Sequence, residues 1–101
     1  MNKTGKNGKK ERNTDLYRAI VALQDIDECM KFFDDLCSIT ELRAMEQRYQ
    51  VAQLLNDGHI YSDILERTGA SSATISRVNR SLLYGAGGYV AAFQRLEERK
   101  E

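Results

Sequence analysis

The sequence predicts an all-α protein, and three of its features support this fold class. None of the 101 residues is proline, so no position lacks the backbone N–H that helical hydrogen bonding requires. No segment alternates apolar and polar residues with the two-residue period of a β-strand. Apolar residues recur instead at intervals of three and four, the period of a helix with one apolar face.

Residues 1–13 form a basic tail that we expect to be disordered. Four lysines and one arginine occur there with a single glutamate, and almost no residue is apolar. The tail either has no role or lies as a basic arm along DNA. Because it also lacks the apolar stretch of a secretory signal, we expect a cytoplasmic protein. Residues 14–101 are predicted to form a single helical domain.

Four of the predicted helices flank a short central motif. The first covers residues 14–23, and the second begins near Asp25, which heads a capping-box pattern. The third and longest follows Ser38 and ends at Gly58. The motif comes next in the chain, and the last helix follows it at residues 89–98. The apolar stripes of these helices, predicted to face inward in the second and third, are, in chain order, Leu16, Ile20 and Leu23; Cys29, Phe32, Phe33 and Leu36; Leu42, Met45, Tyr49, Ala52 and Leu55; and Tyr89, Val90, Phe93 and Leu96.

The central motif consists of two short helices joined by a glycine. We predict helices over residues 61–68 and 72–84, followed by a glycine-rich loop at residues 85–88. Gly69 can adopt the positive φ that ends a helix sharply, and one of the serines at 71–72 can cap the next helix. The inward-facing residues of the two helices are predicted to be Ile64, Leu65, Ile75, Val78 and Leu82.

One face of the second motif helix is suited to binding DNA. Opposite its apolar residues it carries short hydroxyls and guanidiniums, which reach phosphates and base edges in a major groove. The sequence therefore predicts a helix-turn-helix at about residues 61–84, with base contacts from Thr74, Arg77 and Arg80. Asn79 either reads adenine or faces solvent. The predicted DNA-binding residues are Ser71, Ser72, Thr74, Ser76, Arg77 and Arg80.

The formal net charge of the chain is zero, whereas dedicated DNA-binding domains are often strongly basic. The tail is basic and residues 25–35 are acidic, which suits a protein with one face for DNA and another for a partner. The neutral balance leaves a second interpretation open, a helical protein-interaction module or scaffold that has lost DNA specificity. A steep dependence of affinity on salt is expected only for DNA binding.

No pattern in the sequence points to catalysis or to a cofactor. The single histidine, His59, follows a glycine near a predicted turn, where an exposed or capping role is ordinary. Cys29 and Cys37 match no metal or redox spacing, so we interpret them as small apolar side chains, with a thiol sensor as the alternative. No nucleophile motif, phosphate loop or apolar stretch of membrane length is present. We therefore predict a protein that is not an enzyme and binds no metal or membrane.

Several of these motifs occur in the order and spacing of a known family. Residues 38–83 resemble the Trp repressor family, and more closely the YerC/YecD-type Trp-repressor-related proteins of Gram-positive bacteria. The segments that carry the resemblance are the long helix with Arg48, the turn at Gly58, and residues 32–37, 69–77 and 81–85. The resemblance implies an intertwined homodimer whose two recognition helices enter successive major grooves of double-stranded DNA, roughly 34 Å apart. It also implies a transcriptional regulator, expected to be a repressor.

The resemblance further implies a candidate pocket for a small effector. In Trp repressor, tryptophan lies between the long helix and the recognition helix. The residues here that match positions of that pocket are Ser38, Arg48, Arg77 and Ser81. Two departures argue against tryptophan: Val78 stands where Trp repressor has glycine, and the first motif helix is one residue shorter. Arg48 has two other interpretations, a salt-bridge partner and a surface group. The sequence thus leaves another effector open and does not favour tryptophan.

Overall fold

The structure, a computed structural model, describes residues 11–100, and every regular element in this range is an α-helix. The prediction of an all-α fold is confirmed. The helices are α1 (Asp15–Ala22), α2 (Ile26–Leu36), α3 (Ile39–Asn56), α4 (Tyr61–Thr68), α5 (Ser72–Tyr84) and α6 (Gly88–Arg99), close to the predicted bounds. Residues 1–10 of the predicted tail lie outside the described residues, whereas residues 11–13 are exposed and not helical.

The chain divides into two compact units, residues 1–38 and residues 39–101. The first contains α1 and α2, and the second contains α3 to α6. The prediction of a single helical domain over residues 14–101 stays a prediction. Within residues 11–100, no helix has both the length and the apolar character needed to span a lipid bilayer.

Short-range polar contacts define the helix ends of the first unit. At the start of α1, the Asn13 side-chain oxygen accepts a hydrogen bond from the Asp15 N–H at 2.9 Å. Asp25 caps α2, since its carboxylate accepts from the Glu28 N–H at 2.9 Å, as the capping-box pattern predicts. The Glu28 side chain accepts from the Gln24 N–H at 2.9 Å, one residue before the cap. These two hydrogen bonds, from Glu28 to Asp25 and from Gln24 to Glu28, stabilise the start of α2.

The apolar side chains of the first unit remain partly or largely exposed. Phe32 and Phe33, predicted to face inward, are half-buried, and their rings meet edge to face with centroids 5.6 Å apart. Leu36 was also predicted to face inward, and this prediction is wrong, since its side chain is 51% exposed. Leu16 of α1 is 39% exposed. Neither α1 nor α2 contains a buried residue. Two short helices provide too little apolar surface to cover each other fully.

The core lies in the second unit, where α3, α4 and α5 pack on one another. Its buried residues are Val51, Ala52, Ile64, Ala70, Ile75 and Val78. Burying one aliphatic side chain of this size stabilises a fold by about 1.5–3 kcal/mol relative to exposure. Since the cluster takes members from all three helices and from the turn at Ala70, it fixes α5 against α3 and α4.

The structure corrects several inward assignments in the second unit. Val51 lies outside the predicted stripe of α3 but is fully buried, because both α4 and α5 pack on α3. Leu65 is 46% exposed, since it points about 100° away from the buried residue before it. Val90 and Leu96 of α6 are 41% and 48% exposed, whereas Phe93 of the same helix packs against the core.

A glycine ends α3, as predicted. Gly58 has φ +92°, and its N–H donates to the Leu55 carbonyl at 3.0 Å. The next N–H, of His59, donates to the Leu54 carbonyl at 3.0 Å. These two bonds are the pair that defines a Schellman motif, which satisfies carbonyls at the end of a helix. The loop between α5 and α6 also ends on a glycine with positive φ, Gly87 at +90°.

Candidate nucleic-acid interface

The candidate interface is built on the turn between α4 and α5. Gly69 follows α4 with φ +73°, and its N–H donates to the Leu65 carbonyl at 2.9 Å. A Cβ on Gly69 would meet nothing within 4 Å, so the positive φ alone accounts for the glycine. Ala70 is 2% exposed and belongs to the core, so the turn is anchored at its centre.

Thr68, the last residue of α4, connects this turn to α4 and to α3. Its hydroxyl donates to the Ile64 carbonyl at 2.8 Å and accepts from the Ala70 N–H at 3.0 Å. Its carbonyl accepts a hydrogen bond from the side-chain amide of Gln47, on α3, at 3.2 Å. The sequence pattern predicts no role for Gln47, because this residue lies off the apolar stripe of α3. In the structure it is half-buried and bonded to the turn.

A serine caps α5, as predicted, and the cap is Ser71. Its hydroxyl oxygen accepts from the Thr74 N–H at 3.1 Å, and its hydroxyl donates to the Thr74 side-chain oxygen at 3.1 Å. Ser72 is the first helical residue and is not the cap. Thr74, one of the predicted base-contacting residues, is half-buried, and its hydroxyl accepts the hydrogen bond from Ser71.

The outer face of α5 carries the other predicted DNA-binding residues. Its exposed members are Ser72, Ser76, Arg77 and Arg80. In the described part of the chain, neither of these arginines makes an ion pair. Asn79 is half-buried, at the edge of this face. The structure thus places all six predicted residues on one helix and its cap, while the opposite face of that helix is anchored in the core.

The sequence interval that contains α5 carries positive charge although the net charge of the chain is zero. The sequence contains no aspartate or glutamate between Glu66 and Glu97. The interval contains four arginines, of which Arg67 pairs with Asp63 and Arg95 with Glu98. Arg77 and Arg80 pair with no carboxylate among residues 11–100. This carboxylate-free stretch is a sequence signal for an anion-binding surface, and overall composition hides it.

A polar cluster lies at the start of α4. The Nδ1 of His59 is 2.6 Å from Oδ2 of Asp63, and the Nε of Arg67 is 3.1 Å from both carboxylate oxygens. Hydrogen bonds from His59 and Arg67 lower the pKa of Asp63 below its ordinary value of 3.8. Because a carboxylate only accepts, the imidazole proton is assigned to Nδ1. The single histidine is thus half-buried and holds α4 to the turn before it, instead of being exposed.

The four residues predicted to form an effector pocket do not share one element. Ser38 belongs to the first unit. Arg48 is exposed on α3 and makes no ion pair with any residue that the structure describes, which leaves the surface group or the pocket residue. Arg77 and Ser81 are exposed one turn apart on α5. An open groove of about 370 Å³ is lined by Ser81, Gly85, Ala86, Gly88 and Tyr89. The pocket assignment stays a prediction.

The sequence matches a known protein family over most of its length. A family model described as Trp repressor protein matches residues 11–97. The chain belongs to the Trp repressor family. It is 48% identical over 83 residues to an uncharacterized protein, YerC of Bacillus subtilis (strain 168). The match covers 82% of this chain and 80% of that relative.

Two crystal structures have the same fold as this chain. One is a candidate Trp repressor from Staphylococcus aureus, 43% identical with a TM-score of 0.78, covering 82% of this chain and 83% of that one. The other is a TrpR-like protein from Eubacterium eligens ATCC 27750, 52% identical with a TM-score of 0.78, covering 81% and 84%. The predicted Trp-repressor-like fold is confirmed, and the chain shares it with a family of helix-turn-helix DNA-binding regulators.

Proposed function

We propose that this protein is a homodimeric, sequence-specific DNA-binding transcriptional regulator, expected to act as a repressor, that contacts duplex DNA through α5. The observation that carries the proposal is the outer face of α5, on a helix whose other face is buried. This face has exposed hydroxyls, and its guanidiniums pair with no carboxylate among residues 11–100. A firmly anchored helix with a free polar face has the shape and the groups that read a major groove. Membership of the Trp repressor family supports the same function.

The residues of α5 divide into two roles in this proposal. Arg77, Arg80 and Thr74 contact base edges, since guanidinium groups bind guanine bidentately and a threonine contacts bases through its hydroxyl or methyl. Ser71 and Ser72 position the helix on phosphates, because backbone N–H groups and the helix dipole favour an anion at a helix N-terminus. Ser76, one turn further along the exposed face, would contact phosphate through its hydroxyl. The phosphate-contacting serines are Ser71, Ser72 and Ser76.

A second copy of the chain is the proposed partner in solution. Large apolar side chains are exposed among the described residues, including Val21 at 84%, Ile26 at 77% and Ile39 at 66%. Association between two copies would remove such surfaces from water, which a chain with a small core needs. In a symmetric dimer, two α5 helices would enter successive major grooves about one turn of DNA apart. A protomer mass in sedimentation equilibrium at micromolar concentration would contradict the dimer.

The proposal places the protein in the cytoplasm and gives it no catalytic activity, cofactor or membrane partner. It includes a small effector that binds the second unit at Arg48, Arg77 and Ser81. Tryptophan is not the proposed effector, because Val78 has a β-branched side chain where Trp repressor has glycine. Adding L-tryptophan is therefore expected to leave the affinity for DNA unchanged, and a rise in affinity would show that the residues of the pocket accept an indole.

A selection from random-sequence duplex DNA, with the full chain at physiological salt and readout by sequencing, tests the proposed function. We expect a near-palindrome with half-sites about ten base pairs apart. Recovery of no sequence, with only weak salt-sensitive retention, would contradict sequence recognition and favour the alternative of a protein-interaction module. A protein partner would bind without the steep salt dependence that counterion release gives DNA binding.

Two arginine variants test the residue assignments on the recovered site. Arg77→Ala should weaken binding while leaving helicity intact, since one bidentate base contact is worth about 1–3 kcal/mol of discrimination. If Arg80 contacts only phosphate, Arg80→Ala should instead lower the salt slope of binding by about one unit. Arg43→Ala removes an exposed guanidinium from α3, outside the motif, and is the matched control. Unchanged affinity of Arg77→Ala at physiological salt would refute its assignment.

A further inference from the structure

The turn of the helix-turn-helix is held by a hydrogen bond from outside the motif. The side-chain amide of Gln47 donates to the Thr68 carbonyl across 21 positions of sequence. Every other side-chain hydrogen bond described above joins residues within five positions of each other. The bond therefore connects α3 directly to the end of α4, in a half-buried position.

The acceptor of this bond is a group that the helix itself leaves unsatisfied. The Thr68 carbonyl is among the last four of α4, which have no partner within the helix. The hydroxyl of the same residue closes the turn by bonding Ile64 and Ala70. Thr68 thus uses both its backbone and its side chain, and Gln47 fixes that residue to α3.

Apolar packing alone does not give the turn a unique geometry. The contacts of Ile64, Ala70 and Ile75 resist separation of the helices, but the hydrophobic effect is not directional. A hydrogen bond requires both a distance and an angle, so it opposes sliding and rotation of the turn along α3. Base readout depends on such geometry, because contacts with base edges are short and angular.

We propose that Gln47 is a positioning residue for DNA recognition: its amide holds the turn at Thr68 against α3, so that α5 meets the major groove in one orientation. This role rests on the proposed DNA-binding function. Gln47 touches no DNA in this account and acts through Thr68, Ala70 and the start of α5.

The first experiment measures the turn without DNA, by amide hydrogen exchange of Ala70 in the full chain. Gln47→Met keeps the length of the side chain and removes the donor, and Thr68→Val removes the hydroxyl. Both should accelerate exchange at Ala70. Gln50→Met is the matched control, because Gln50 is exposed on the same helix. Thr68→Ser retains a hydroxyl and should restore slow exchange. If the amide of Ala70 exchanges as slowly in Gln47→Met as in the wild type, the proposal is overturned.

The second experiment measures the ratio of affinities for the selected duplex and a scrambled duplex of equal length, at one salt concentration. Gln47→Met should lower this ratio about tenfold, the order of one lost base contact, with the scrambled affinity and the salt slope unchanged. Gln50→Met and Thr68→Ser should keep the wild-type ratio. Equal losses on both duplexes together with a lower melting temperature would overturn positioning and make Gln47 a residue of stability only. A wild-type protein that does not distinguish the duplexes would refute the proposed function, and faster Ala70 exchange would then still report the bond from Gln47.

Discussion

Replacing Ser71 by alanine should destabilise the protein through the start of α5 and nowhere else. The hydroxyl of Ser71 accepts the Thr74 N–H at 3.1 Å, and this is the side-chain cap of the helix. The first N–H groups of a helix have no partner within it, so the variant leaves one of them to water. Ser71 is exposed and outside the core, so no cavity is created.

The size of the effect follows from the exposure of the cap. Losing a serine N-cap costs about 0.5–2 kcal/mol. Because water can replace the hydroxyl of Ser71, we expect a value near the middle of that range, about 1 kcal/mol. In a domain of about 100 residues this lowers the melting temperature by roughly 4–8 °C. It lowers the urea midpoint by roughly 0.3–1 M, for an m-value of about 1–3 kcal/mol/M.

Urea unfolding without DNA measures this loss, at one fixed protein concentration because the stability of a dimer depends on it. Ser72→Ala is the matched control, since it deletes the same atom at the adjacent exposed position that is not the cap. Alanine is the better helix former, so this control should be neutral or slightly stabilising. If Ser71→Ala loses no more stability than Ser72→Ala, the capping argument is refuted.

Aspartate at the same position separates stability from DNA binding. Ser71→Asp should retain the stability of the wild type, because aspartate caps about as well as serine and its charge suits the helix N-terminus. Its affinity for DNA should fall, since the added carboxylate would meet phosphates. A stable Ser71→Asp protein with undiminished affinity would contradict the placement of this turn on the DNA backbone.

Three further predictions concern the frame of the motif. Ile64→Ala should destabilise the protein by about 2–5 kcal/mol in urea unfolding, because Ile64 is fully buried, whereas Leu65→Ala should have a clearly smaller effect; equal losses would contradict the core described for α4. Gly69→Ala should cost about 1–2 kcal/mol through its positive φ, whereas Gly88→Ala, without that constraint, should be neutral or stabilising; the reverse order would exclude the left-handed turn. The pKa of Asp63 is lower in the folded than in the unfolded state, so its contribution to stability is present above pH 3.8 and lost as the pH falls below that value. Asp63→Asn should therefore lose less stability than the wild type between pH 7 and pH 3, and identical losses would show that the carboxylate is not stabilised by its neighbours.

The features that the sequence predicted correctly are those decided by local chemistry. Gly58 and Gly69 mark helix ends because only glycine adopts a positive φ without strain. Ser71 could be recognised as a cap from its position between that glycine and an apolar repeat. The inward positions of Ile75 and Val78 follow from helical periodicity and are confirmed by their burial.

The features that were missed depend on what packs against a helix. α4 has only eight residues, so its sequence pattern does not show which of the adjacent residues Ile64 and Leu65 is buried. Only the positions of α3 and α5 decide this. Val51 is buried because two helices cover α3, and no stripe within α3 indicates this. The bond from Gln47 to Thr68 joins distant positions and has no local pattern at all.

For the proposed function, the charge arrangement around α5 has a consequence for how the protein would find a site on DNA. A chain of zero net charge has no net electrostatic pull toward a polyanion at long range. At physiological salt the field of its arginines is screened within about 8 Å, so attraction begins only when α5 already faces the duplex. Collisions in other orientations end quickly, and little protein is retained on unrelated sequence. The residence time on DNA would then be set by the fit of the two α5 helices of a dimer to one site.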